Sequence, residues 1–81
     1  MRLHPHARQR MIERGASEEE VVATVLQGER FPAKHGRVGF RRNYAFGGAW
    51  RGRTYATKQV EAYAVQDDED WTVITVITKF Y

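Results

Sequence analysis

The chain has 81 residues, of which 42% are hydrophobic and 28% are charged, and only two are prolines. This length predicts one small domain over residues 1–81, and the composition is that of a folded chain rather than a disordered one. The sequence contains no cysteine, which excludes disulfides, thiol nucleophiles and cysteine-based zinc sites and favours a cytoplasmic location. Its longest apolar run, residues 62–65, is short, so we expect neither a membrane span nor an export signal.

The charge of the sequence is unevenly distributed. The net charge is +3, but residues 30–58 contain eight lysines and arginines and no acid, whereas residues 67–70 are four consecutive acids. Such a chain presents a positive field over much of its surface. We therefore expect a negatively charged partner.

Residues 5–14 are predicted to form a first helix. Pro5 suits the first turn of a helix, and Gly15 suits its end. Between them, Ala7 and Met11 lie on one apolar stripe at a spacing of four residues.

Residues 18–27 are predicted to form a second helix. Ser17 and Glu20 have the spacing of a capping box, and the run of acids that begins at residue 18 favours the positive end of a helix. The side chains expected to face the core are Val21, Val22, Val25 and Leu26.

From residue 38 onward the pattern changes to the two-residue period of a β-strand. We expect a strand over residues 38–46 and a turn at Gly47 and Gly48. Residues 53–57 and 59–66 form either two strands or one bent strand.

The last segment, residues 71–81, lacks glycine and proline and carries Thr, Val or Ile at most positions. This composition predicts a central strand that is buried on both faces. The acids at 67–70 then form a hairpin turn. Together the elements predict an α+β domain in which two helices pack on one face of a three- or four-stranded antiparallel sheet.

His6, Arg10 and Arg14 follow one another at a spacing of four residues on the first predicted helix, so they are neighbours on its surface. An imidazole can transfer a proton near neutral pH, and a guanidinium can stabilise charge that develops on phosphate oxygens. This row predicts phosphodiester chemistry. The alternative is structural: the histidine caps or packs locally, and the arginines pair with Glu13, Glu18 or the sheet.

The middle of the chain mixes cations with aromatic residues, which suits RNA because arginine neutralises phosphate while rings stack on bases. The alternative is that the rings form the core of the sheet and the arginines form its solvated surface. For the arginines we favour binding, since an ordinary solvated surface mixes both signs of charge. The cations predicted to bind RNA are Arg37, Arg41, Arg42, Arg51, Arg53 and Lys58.

Thr78 and Tyr81 lie near the end of the last predicted strand, where a hydroxyl can reach a phosphate if that strand lies beside the first helix. We include Thr78 among the catalytic candidates, although both residues are also ordinary strand formers. No metal or other cofactor is predicted. The four consecutive acids point in different directions, and His4 and His6 would not face the same way on a helix.

Residues 6–17 read H-A-R-Q-R-M-I-E-R-G-A-S and resemble the opening motif of the bacterial family DUF4258, a domain of unknown function. Residues 73–78 resemble that family's last strand. The family is similar in layout to the RelE-like and BrnT-like toxins of toxin–antitoxin modules, whose fold of helices followed by an antiparallel sheet commonly supports metal-independent RNA cleavage. The resemblance implies a ribonuclease toxin in which the motif histidine is His6 and the motif arginines are Arg10 and Arg14.

The sequence departs from this family in two places. Where the family often has a tyrosine after its closing threonine, this chain has Phe80, and Tyr81 follows on the opposite face. The segment 36–53, rich in glycine and arginine, also departs from the family, so its binding of RNA is predicted from charge alone.

Three functions are consistent with these residues. The first is a toxin-type endoribonuclease that uses the ribose 2′-hydroxyl as nucleophile, with His6 as general acid or base and Arg10 and Arg14 holding the phosphate. Its expected partners are RNA and an acidic antitoxin protein that covers the positive face. The second is a non-catalytic RNA- or DNA-binding regulatory module. The third is a protein-interaction module whose basic face meets an acidic protein.

Overall fold

A computed structural model describes residues 1–81 and contains two helices and one five-stranded sheet. In chain order the elements are β1 (Arg2–Leu3), α1 (Pro5–Arg14), α2 (Glu18–Gln27), β2 (Glu29–Pro32), β3 (Val38–Trp50), β4 (Arg53–Asp67) and β5 (Asp70–Phe80). The strands lie in the order β1-β5-β4-β3-β2. β1 pairs with β5 in parallel, and the other three pairs are antiparallel. The α+β class is confirmed, but the sheet is mixed.

Both helices have the bounds that the sequence predicts. α1 begins after His4, whose Nδ1 accepts a 3.1 Å hydrogen bond from the main-chain N–H of His6, and it ends at Gly15, whose φ is 75°. α2 begins with the predicted capping box, in which the side chains of Ser17 and Glu20 each accept a bond from the other's main-chain N–H. Neither helix is long and apolar enough to cross a membrane.

Both helices pack on the same face of the sheet. The core that they share with it consists of Ala7, Met11, Ala16, Val21, Val25, Phe40, Val60, Ala62, Ala64, Val73 and Val76. Successive residues of a strand point to opposite faces, so a second set of side chains lies on the face away from the helices, here called the open face. One row across the open face is formed by the Cα partners Phe31, Gly39, Tyr63 and Thr75.

The prediction of three or four strands is wrong because it omits β1 and β2. β1 has two residues, too few to show a period, and it exists because Arg2 and Leu3 pair with residues that are distant in the chain. β2 contains two charged residues and Pro32, a composition that disfavours a strand. Proline is accommodated there because β2 lies at the edge of the sheet, where its missing N–H breaks no ladder bond.

The turn between β3 and β4 lies four residues beyond the predicted one. β3 continues through Gly47 and Gly48, where the pairing register shifts, and glycine accommodates such an irregularity. The turn is formed by Arg51 and Gly52, whose φ values of 52° and 83° are typical of a tight two-residue hairpin turn. β4 is one continuous strand, which decides between the two alternatives for residues 53–66.

β5 is not the central strand, contrary to the prediction. The centre of the sheet is β4, and β1 pairs with β5 only at Thr72 and Val73. Val73 and Val76 are fully buried on the helix face, whereas Thr75 and Ile77 on the open face are half-buried. High β-propensity in this segment therefore reflects one buried face rather than two. The hairpin turn predicted at residues 67–70 is confirmed between β4 and β5.

The buried face of α2 differs in part from the prediction. Val21 and Val25 are buried, but Val22 is half-buried and Leu26 is 72% exposed. Thr24 takes a core position instead. Its hydroxyl is satisfied there, because it bonds to a main-chain carbonyl of the preceding helical turn at 2.7 Å and to a tyrosine hydroxyl of β3 at 2.9 Å.

Candidate functional site

A cleft of about 330 Å³ lies where the end of α1, the β3–β4 turn and the end of β5 meet. Its lining residues are Arg14, Trp50, Arg51, Ile77, Thr78 and Phe80. Two cations, one hydroxyl and two aromatic rings therefore converge from three separate elements.

Side chains of the sheet and its turn bind the last carbonyl groups of α1. The three bonds run from Arg51 to Glu13 (3.2 Å), from Thr78 to Arg14 (2.6 Å) and from Lys58 to Gly15 (2.9 Å). The carbonyls at the end of a helix lack intrahelical partners and carry partial negative charge. These donors satisfy the carbonyls, offset that charge and attach the end of α1 to the sheet.

Arg14 enters the cleft from the last turn of α1 and is half-buried. Its Nη1 donates a 2.7 Å hydrogen bond to the main-chain carbonyl of Val76, which fixes the guanidinium against β5. Arg14 forms no ion pair. A guanidinium carries five N–H groups, so most of its donors stay free for a ligand, and its charge is not neutralised by a carboxylate.

Arg51 brings a second cation to the cleft from the β3–β4 turn. Its bond to a carbonyl of α1 orients the side chain, and its guanidinium lies 5.2 Å from the centre of the Trp50 ring. Like Arg14, it forms no ion pair. The cleft therefore holds two oriented guanidiniums without an opposing acid.

The aromatic side of the cleft is a cluster around Phe80. Trp50 stacks on Phe80 with 5.1 Å between ring centres and 15° between planes, and Phe46 and Tyr55 pack against the same ring. Trp50 also lies directly on Gly15, where a Cβ atom would come within 2.7 Å of the indole. Only glycine permits this approach, so the residue that ends α1 also positions Trp50.

Lys58 of β4 does not line the cleft and is only 7% exposed. Besides the carbonyl of Gly15, its Nζ contacts Oε1 of Glu20 at 2.7 Å. Burial alone would raise the pKa of Glu20, but hydrogen bonds from Lys58 and Ser17 outweigh burial and hold that pKa below its ordinary value. Lys58 thus ties α2 to β4 and is not a surface cation in this structure.

A model of the family described as Domain of unknown function (DUF4258) matches residues 3–78. The chain belongs to this family. The match begins before α1 and ends at Thr78, so it includes both helices and nearly all of the sheet. No curated protein and no solved structure matches the chain, and the likeness to RelE-like and BrnT-like toxins stays a prediction.

Two of the predicted catalytic residues, Arg14 and Thr78, line the cleft of this DUF4258 domain. The prediction for Thr78 required its strand to lie beside the first helix. β5 does lie beside α1, and the Thr78 hydroxyl donates a hydrogen bond to the main-chain carbonyl of Arg14. Its hydroxyl proton is committed to that carbonyl, so Thr78 positions the helix end.

The other two catalytic candidates lie outside the cleft. Arg10 pairs with Glu13 at 2.8 Å, and hydrogen bonds from Arg10 and Gln9 lower the pKa of that carboxyl. His6 is exposed near the start of α1, eight residues before Arg14 and so about 12 Å from it along the helix axis. The spacing of four residues in the sequence does not make these side chains converge on one ligand.

The predicted RNA-binding cations of the DUF4258 domain lie on different faces. Arg41 is on the open face and pairs with Glu29 at 3.0 Å, whereas Arg42 is on the helix face and donates to Gln27 at 2.7 Å. Arg53 is exposed at the start of β4. Alternation along a strand separates consecutive arginines, so a run of bases in the sequence does not become one surface.

Arg37, the remaining predicted cation, lines a second cavity, on the open face of the sheet. Trp50 and Phe80, which form one side of the cleft, were not predicted as site residues, because aromatic residues on strands are ordinary core residues. The available signal was Trp50 directly before Arg51 in a glycine-containing turn. No group of three or more His, Asp or Glu residues lies close enough together to hold a metal ion.

Proposed function

We propose that this protein binds single-stranded RNA at the cleft between α1 and β5. The observation that carries the proposal is that Arg14 and Arg51, both oriented by main-chain carbonyls and neither paired with an acid, flank the stacked rings of Trp50 and Phe80. Guanidiniums bind phosphate oxygens through two parallel hydrogen bonds, and aromatic rings stack on unpaired bases. A nucleotide would then bind with its phosphate between the two arginines and its base at the aromatic side of the cleft.

Binding is tested by fluorescence anisotropy with a labelled single-stranded RNA of roughly eight nucleotides, at several salt concentrations. We expect Arg14→Ala and Arg51→Ala each to weaken binding about tenfold. Each should also reduce the slope of log affinity against log salt concentration by the amount that corresponds to about one phosphate contact. Arg14→Lys keeps the charge but loses the planar fork, so its effect should be intermediate.

Arg8→Ala is the matched control for these variants. Arg8 is half-exposed, pairs with Glu18 on the surface and does not line the cleft, so its loss removes one charge without removing a proposed contact. If Arg14→Ala and Arg51→Ala bind RNA as Arg8→Ala does, the cleft is not the RNA site.

A second candidate is the toxin-type, metal-independent endoribonuclease that the family resemblance implies. It is favoured by one contact: Arg14 of the opening motif and Thr78 of the closing strand, 64 residues apart in the chain, are hydrogen-bonded at the cleft. In this reaction the 2′-oxygen attacks the adjacent phosphorus and the bond to the 5′-oxygen breaks. A base accepts the 2′ proton, an acid protonates the 5′-oxygen, and the products are a cyclic phosphate and a 5′-hydroxyl.

Cleavage is tested by incubating labelled RNA with the protein in EDTA and looking for fragments that end in cyclic phosphate. We expect Arg14→Ala to reduce the rate about a hundredfold, because its guanidinium would stabilise the charge on the reacting phosphate. A loss of about a hundredfold in His6→Ala would confirm the acid–base role predicted for His6, and an unchanged rate would contradict it. RNA that is bound but intact would favour the binding module.

The uncompensated positive charge of the cleft also supports a protein partner for such an enzyme. We propose that an acidic antitoxin would bind the same cleft and compete with RNA, because its carboxylates would pair with the same two guanidiniums.

A further inference from the structure

A second cavity, of about 410 Å³, lies on the open face of the sheet. It is bordered by the β2–β3 loop on one side and by β4 and β5 on the other. Nothing in the sequence motifs or in the cleft at α1 accounts for it.

The floor of this cavity is built from two aromatic rings. Gly39 lies between their strands, and a Cβ atom there would come within 2.3 Å of the Phe31 ring. Because that position is glycine, Phe31 lies across β3 and meets Tyr63 edge to face, with 5.9 Å between ring centres. Burial and the neighbouring Glu61 raise the pKa of Tyr63, so its hydroxyl stays protonated and donates to Glu61 at 3.0 Å.

The rim of the cavity carries three basic side chains, Lys34, His35 and Arg37. His35 and Gly36 both have positive φ, 61° and 71°, and the Arg37 N–H bonds to the Lys34 carbonyl at 3.3 Å, which closes a tight turn. None of the three side chains forms an ion pair. The rim is therefore a positive edge without an acidic partner.

No acidic residue lines the cavity. The nearby carboxylate of Glu61 is 4% exposed and pairs with Lys79 at 3.3 Å. A ligand that reaches the floor meets the Tyr63 ring and the Phe31 ring, which also has the Arg41 guanidinium 4.6 Å from its centre, and it meets positive charge at the edge. This combination matches a planar base attached to a phosphate.

The cavity and the proposed RNA cleft share one lining residue. Ile77 of β5 lines both of them, so one ligand chain can pass over this residue from one site to the other. Beyond Val73 no strand pairs with the outer side of β5, and the Arg14 guanidinium binds the Val76 carbonyl of this strand.

We propose that the open-face cavity is a second nucleotide subsite, which takes one unstacked base of the same single-stranded RNA against Phe31 and Tyr63 and places its phosphates on Lys34 and Arg37. This inference rests on the proposed RNA-binding function and adds a second contact point to it. The RNA then wraps over the β5 edge at Ile77.

The test uses anisotropy with the same labelled RNA and two variants of the full chain. Lys34→Ala combined with Arg37→Ala should weaken binding about tenfold and reduce the salt dependence by one to two phosphate contacts. Phe31→Leu keeps an apolar side chain but removes the ring, so it should weaken binding about fivefold with the salt dependence unchanged. Circular dichroism and thermal unfolding check that each variant is folded.

The matched control is Arg2→Ala combined with Arg8→Ala, which removes the same charge from two exposed positions outside both cavities. If the Lys34/Arg37 variant and Phe31→Leu bind RNA as this control does while Arg14→Ala is impaired, the second subsite is overturned and the cleft stands. If the parent protein binds no RNA, both proposals fail. If an acidic peptide shifts the NMR signals of Phe31 and Tyr63 and the RNA does not, the cavity belongs to a protein partner and the subsite is overturned.

Discussion

At the scale of single residues, Gly15 has two independent reasons to be glycine. Its φ of 75° lies in the left-handed region, and its missing Cβ leaves room for the ring of Trp50. Gly36 shares the first property, with φ of 71°, but has no atom within 4 Å of a Cβ position. Substitutions at the two glycines therefore distinguish the cost of backbone strain, which both would incur, from the cost of the contact with Trp50, which only Gly15 would incur.

We expect Gly36→Ala to lower the free energy of unfolding by about 1 kcal/mol, the cost of a left-handed alanine, and Gly15→Ala to lower it by about 2 to 3 kcal/mol because Trp50 must also move. Urea unfolding measures both values. The indole N–H signal of Trp50 in NMR spectra should shift in Gly15→Ala and stay in place in Gly36→Ala. Equal losses of stability with an unmoved Trp50 signal would contradict the contact.

At the scale of elements, the buried pair of Lys58 and Glu20 joins β4 to the first turn of α2. Lys58→Met should lower the free energy of unfolding by about 3 kcal/mol, because it leaves a partly buried carboxylate without its partner. Arg8→Ala, which breaks the exposed pair with Glu18, should cost less than about 1 kcal/mol. Similar losses in the two variants would show that the Lys58 pair is not specially stabilising.

The same pair makes stability depend on pH. The pKa of Glu20 is lower in the folded chain than its ordinary value of 4.5, so the unfolded chain binds its proton more readily. The stability that this carboxylate contributes is present above that ordinary value and is lost as the pH falls through the depressed folded-state pKa. Urea unfolding of Glu20→Gln across this range should show a shallower loss of stability at acid pH than the parent, and an identical slope would contradict it.

At the scale of the whole molecule, the sheet redistributes the charge that the sequence concentrates in residues 30–58. Arg41 and Arg42 are adjacent in the chain but face opposite sides of the sheet, and Lys58 is buried. The cations left without acidic partners beside a cavity come from separate elements: Arg14 and Arg51 at the cleft, and the β2–β3 turn on the open face. RNA binding is therefore expected at these two cavities rather than along a uniform basic face.

The sequence by itself determined those features that depend on neighbours within about four residues. The bounds of both helices, the capping box of Ser17, the end of α1 at Gly15 and the turn at the acids 67–70 are all local, and the helical motif also pointed to the family. Such features follow from capping bonds and periodicity, which short segments contain in full.

Only the tertiary structure decided the strand order, the existence of β1 and β2, and the composition of both cavities. Arg14 meets Val76 and Thr78 across 62 and 64 residues of chain, and Ile77 joins the two cavities because β5 lies near the edge of the sheet. The spacing of four residues between His6, Arg10 and Arg14 predicted that these side chains act together, yet His6 and Arg14 lie at opposite ends of α1. Contacts of this kind depend on which strands pair and which face meets the helices, and those choices minimise the free energy of the whole chain rather than that of any segment.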